Sequence, residues 1–141
     1  MTETFASKNR GWLEPYIRDV AGRMNLSHWK IELAHNDPED DCLASVSING
    51  QSRTATMRFR DPHGDMDDLR ESVVHECVHC HLNDMEAAVL QTEDHFNPAT
   101  FDIVRRNIHN ELETAICAMS RAWSILLPLP IIAEAKEQDA A

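Results

Sequence analysis

His75-Glu76-Cys77-Val78-His79 places two imidazoles four residues apart with a carboxylate between them. In a helix, four residues are slightly more than one turn, so both rings leave the same face and can grip one Zn²⁺. Glu76, rotated by about 100°, cannot chelate the same ion but can reach a water beside it. The spacing therefore predicts His75 and His79 as metal ligands and Glu76 as the catalytic general base of a zinc-dependent hydrolysis. A catalytic zinc takes a third protein ligand and leaves one position open. The downstream candidates are Glu111 and Glu113, and helical-wheel geometry slightly favours Glu111, which lies nearer the apolar face of Ile108, Leu112 and Ala115.

The motif needs a helix to carry it. Leu69, Val73, Val74, Val78 and Leu82 recur with helical spacing, and Asp65, Asp67 or Asp68 can cap the start. The apolar residues fall on the flank that leaves His75 and His79 together, which distinguishes the pair from scattered surface histidines. A second helix is expected after Asn97-Pro98, a cap followed by proline at the first helical position, with Phe101, Val104, Ile108, Leu112, Ala115, Ile116, Met119 and Trp123 on one face. Pro128 should stop it. Between the two, residues 83–96 are ambiguous, with Met85 to Leu90 able to form a short helix. Upstream, Leu13, Ile17, Val20, Ala21 and Met24 predict a helix that Asn25 can cap, with Pro15 in its first turn and residues 1–9 frayed. Alternation at Trp29-Ile31-Leu33, Ala44-Val46-Ile48 and Ala55-Met57-Phe59 predicts three strands, the last two joined through Asn49-Gly50 with Gln51 and Ser52 able to lengthen the loop.

The chain has 141 residues and 43% hydrophobic content, enough for one core without disulfides, and reads as one α+β domain over residues 1–141. Its ordered core is expected over about residues 10–130, with a mobile tail at 134–141. Thirteen Lys and Arg against 24 Asp and Glu give a net charge of −11, which disfavours nucleic acid and anionic membrane surfaces as partners. The longest apolar run, residues 125–133, contains Pro128 and Pro130 and is far shorter than the ~20 residues of a membrane helix. With no secretory leader read at the start, Cys42, Cys77, Cys80 and Cys117 are expected as reduced thiols in a cytoplasmic protein. Cys77 and Cys80 form C-x-x-C without the second pair of a zinc ribbon, and Cys77 points about 200° from His75, so it reads as a buried side chain. His81 shares that rear face and reads as structural. The acidic runs at 39–41 and 65–68 lack the spacing of a calcium loop and read as solvated loop and helix cap.

Over about residues 25–124 the chain resembles the small zincin-like metallopeptidases of phage and bacterial origin, gluzincin in ligand set. The resemblance is carried by Trp29-Lys30-Ile31-Glu32, the hairpin with Ala44-Ser45-Val46 and Ala55-Thr56-Met57, the helix from Arg70 to Leu82, and Glu113-Thr114-Ala115-Ile116-Cys117-Ala118-Met119. In that family the ligand Glu is followed by apolar residues two, three and six positions on. Glu113 fits this with Ala115, Ile116 and Met119, so the resemblance implies Glu113 rather than Glu111 as third ligand. It also implies an N-terminal helix, a twisted three- to four-stranded sheet, the motif helix and a long C-terminal helix that delivers the Glu. Zn²⁺ is the implied cofactor, a peptide or protein the substrate, and a bacterial host cytoplasm the place of action if phage-encoded; the net charge of −11 points to a basic partner. Larger gluzincins add a Tyr or His that steadies the intermediate; Tyr16 is far away in sequence, and His95, His109 or Arg105 are the substitutes, unranked by spacing. A zinc-stabilised binding or regulatory module is the alternative function, and a DNA-associated zincin with a third histidine and zinc ribbon is disfavoured.

Overall fold

The computed structural model describes residues 2–39 and 41–132. Its order is α1 (Phe5–Arg23), β1 (Lys30–Leu33), β2 (Ala44–Asn49), β3 (Thr54–Phe59), α2 (Met66–Leu90), a single 3₁₀ turn (Glu93–His95) and α3 (Pro98–Ser124). This is an α+β fold with an N-terminal helix, a small mixed sheet and a long last helix.

The first helix begins earlier than its apolar spacing predicts. The Thr4 side chain accepts a hydrogen bond from the Ser7 amide as an N-cap, Ala6 is fully buried, and the Phe5 ring meets Trp12 edge to face at 6.1 Å. Residues 5–9 are therefore helical rather than frayed, and Pro15 lies inside the helix, where its missing amide leaves the Gly11 carbonyl without the usual donor. Asn25 ends α1 as expected. Its φ of +63° allows the Asn25 amide to reach Gly22 O at 3.1 Å and Leu26 N to reach Ala21 O at 2.8 Å, the paired bonds of a Schellman cap.

β3 is the central strand, parallel to β1 and antiparallel to β2. Its alternate residues Ala55, Met57 and Phe59 are completely buried, while β2, on the edge, buries none completely. The β2–β3 loop is longer than Asn-Gly alone: the Asn49 side chain accepts from the amides of Gln51 and Ser52. A Cβ at Gly50 would stand 2.6 Å from the Asn83 side-chain amide on α2, which would have to turn aside. Arg53 joins the same two elements through its ion pair with Asp84 at 2.9 Å. These contacts lay the edge strand beside the motif helix.

α2 starts at the Asp65 cap, whose side chain accepts from the Asp68 amide, and runs unbroken to Leu90. The short helix considered for Met85 to Leu90 is thus its last turns; no Pro or Gly interrupts residues 83–90. α3 starts with the Asn97 side chain accepting from the Thr100 amide and Pro98 in the first turn, and it ends at Ser124, before Pro128. Two positions of its predicted inner face are open: Ala115 is exposed and Trp123 is 44% exposed. The reason is that α3 packs chiefly on α2, which covers a narrower stripe than a sheet would.

The core joins α1 (Leu13, Ile17, Val20), the sheet (Ile31, Met57, Phe59), α2 (Leu69, Val73, Val74, Cys77) and Ile116 of α3. The segment after α3 returns to this body. Arg70 donates to Leu127 O at 3.1 Å, and the Tyr16 hydroxyl donates to Pro128 O at 2.8 Å. The tail expected at 134–141 lies outside the described residues.

Candidate metal centre

α2 and α3 lie antiparallel, as their cross-helix contacts show in order: Glu71 with Arg121, His75 with Cys117, His79 with Glu113, and Glu86 with His109. At the middle of this ladder the two motif rings converge, with Nε2 to Nε2 at 3.2 Å. One Glu113 carboxylate spans both: Oε1 is 2.9 Å from His79 Nε2 and Oε2 is 3.4 Å from His75 Nε2. Glu111 is exposed, and lines a surface groove with Asn107, Ile108 and Leu112 instead.

The donor set suits a divalent ion. Two imidazole nitrogens and two carboxylate oxygens point into one space, a nitrogen and oxygen set appropriate to zinc. Burial holds the His75 pKa below its usual value, and the neighbouring His79 pushes it the same way against the opposing pull of Glu113. A ring so disposed is neutral, the state that binds metal.

Cys117 is the residue that sequence reasoning missed. Its signal in the chain is that it follows Glu113 by four residues and so shares its helical stripe. Its Sγ lies 3.9 Å from His75 Nδ1, and His75, Glu113 and Cys117 offer donor atoms all within 4.8 Å of one another. The partly buried cluster thus has His79 and Glu113 at Nε2 of His75 and Cys117 at its Nδ1.

Glu76 lies beside the cluster. It is only 4% exposed and has no hydrogen-bond partner among the described residues. With His75 it lines a pocket of about 220 Å³ whose other walls include Leu43 and Ala44 at the start of β2 and Asp68 and Glu71 of α2. Burial raises its pKa to about 8, and the charge of Glu113 adds to the rise. In the metal-free protein Glu76 is thus held largely protonated, and a nearby cation would draw the proton off.

The remaining sequence candidates are elsewhere. His81 contacts Met24 O at 2.7 Å, tying α2 to the end of α1. Cys77 and Cys80 are buried, free thiols whose pKa values burial pushes up, as inert structural cysteines are. Tyr16 is committed to Pro128 O, Arg105 pairs with Asp102 at 2.9 Å, His109 faces Glu86 at 3.8 Å, and His95 is exposed in the 3₁₀ turn. No described helix is long and apolar enough to cross a membrane.

Comparison of the chain with family models, curated proteins and solved structures finds no match.

Proposed function

We propose that this chain is a zinc protein in which His75, His79 and Glu113 hold the ion and thereby clamp α3 to α2. The observation that carries this is the Glu113 carboxylate lying across both motif imidazoles. The function this geometry supports most directly is a zinc-stabilised binding or regulatory module. Cys117 favours it, because with His75 and Glu113 it offers donor atoms within 4.8 Å of one another, and a thiolate ligand is typical of a structural site.

A specific observation favours a second reading on the same metal, a zinc metallopeptidase. A purely structural centre has no use for the buried, unpartnered Glu76 beside an open pocket. Zinc bound there would lower the pKa of a coordinated water towards ~7 and polarise a scissile carbonyl. Glu76 would take the proton of the attacking water and return it to the departing amine, base first and acid second. A group whose pKa burial lifts well above the ordinary carboxylate range is suited to both halves of that exchange. The pocket beside β2 would seat the peptide, and Glu113 would keep both rings oriented.

One pair of variants separates the readings. Under the peptidase reading, Glu76→Gln keeps zinc and loses cleavage of any peptide the wild type cuts. Under the module reading, Glu76→Gln leaves the biological effect intact while His75→Ala abolishes it.

A further inference from the structure

The pocket beside the metal cluster has a charge character that the coordination does not explain. Its space, about 220 Å³, is smaller than the roughly 300–1,000 Å³ of a site that encloses a whole small molecule, and matches a single side chain. Asp68, Glu71 and Glu76 bring three carboxylates to its lining. Asp68 has no cationic partner among the described residues, and Glu71 has only Arg121, at 3.6 Å and largely exposed. Glu76, nine-tenths buried and unpartnered, is aimed into the same space. On the opposite wall, Leu43 is 44% exposed and gives an apolar surface for a methylene stem.

The backbone beside the pocket is equally uncommitted. β2 is an edge strand, and among the described residues its outer side pairs with no other strand. An extended peptide can add to such an edge by main-chain hydrogen bonds and send a side chain into a neighbouring pocket.

We propose that this pocket takes the lysine or arginine side chain of an extended peptide added to the β2 edge, with Asp68 and Glu71 as the residues that read its charge. The proposal rests on the site engaging a peptide, whether that peptide is held or cut. The cation's stem lies on Leu43 and its head meets the two carboxylates, while the main chain passes His75 and Glu76. A glutamate at the same place meets the like charges of Asp68 and Glu71 and is rejected.

The test uses the zinc-loaded full chain carrying Glu76→Gln, so that binding is read without turnover. Fluorescein-labelled octapeptides of alanine and serine, differing only in one central Arg, Lys, Met or Glu, are titrated by anisotropy at low and high salt. The Arg and Lys peptides should bind about ten-fold tighter than the Met peptide, with the margin shrinking as salt rises. Added Asp68→Asn and Glu71→Gln should erase the margin, and Asp68→Lys with Glu71→Lys should turn the preference to Glu, with zinc content and circular dichroism unchanged. Equal or undetectable binding of all four peptides overturns the proposal, as does a preference that survives Asp68→Asn and Glu71→Gln. Incubating the wild type with the same peptides separates the two ideas. Cleavage without charge preference keeps a peptidase and removes the pocket assignment, whereas charge preference without cleavage does the reverse.

Discussion

The two halves of the α2–α3 pair are built differently. In the inner half, Val73, Val74, Cys77 and Val78 of α2 and Ile116 and Ser120 of α3 are buried in or beside the common core. In the outer half, α2 buries no residue completely after Cys80, and α3 buries none between Phe101 and Ile116. Ile103 there is 55% exposed, and the polar contact of Glu86 with His109 spans 3.8 Å. His79 and Glu113 stand at the boundary. A rigid inner half can present His75 and His79, but the carboxylate that completes the cluster comes from the start of the less supported stretch. A metal here would therefore act as a clasp, extending the order of the inner half outwards.

Removing the clasp should have the largest effect. His75→Ala, His79→Ala and Glu113→Gln should each lose the single zinc expected per chain by elemental analysis, while Glu111→Gln, an exposed position, should keep it. Zinc retained in Glu113→Gln and lost in Glu111→Gln would invert the assignment. Next in size is the packing contrast. Ile116→Ala in the inner half should cost about 2–5 kcal/mol in denaturant unfolding, and Ile103→Ala in the outer half less than ~0.5 kcal/mol. Comparable losses at the two sites would erase the distinction.

A smaller effect is expected from pH in the metal-free protein. The folded chain raises the Glu76 pKa to about 8, so between its ordinary value near 4.5 and that point the folded state keeps a proton that the unfolded state has released. Stability from this group is full below pH ~4.5 and falls as pH rises towards about 8, by at most ~1.4 kcal/mol per unit. Glu76→Gln should flatten that slope in thermal melts, and an unchanged slope would show that the carboxyl is solvated. The smallest effect is local. Zinc should slow amide exchange over residues 103–113 while leaving 116–124 as in the metal-free protein, because the latter stretch is already anchored.

Much of this arrangement was legible in the chain. Four-residue spacing fixed the two histidines on one face, Asn97-Pro98 marked the start of α3, and Asn25 marked the end of α1. What local pattern could not show were features decided across the fold. The start of α1 is hidden because Ser7, Lys8, Asn9 and Arg10 interrupt the apolar period, although Ala6 is buried. Parallel pairing of β1 with β3 joins segments separated by the whole of β2, and no neighbouring residue announces it. Between Glu111 and Glu113 the wheel leans to Glu111 and the resemblance to Glu113; it is the Glu113 carboxylate that lies beside both rings. Cys117 and the acidic pocket went unread because their meaning depends on which helix face meets which partner.

The bond from the Tyr16 hydroxyl to the Pro128 carbonyl joins residues 112 apart in the chain. Closing a loop of that length costs entropy, and the bond gains its geometry from α1, the sheet and both long helices, so it is expected on the late, native side of the folding barrier. Its contribution lies in how slowly the finished protein opens, with little influence on how fast it folds.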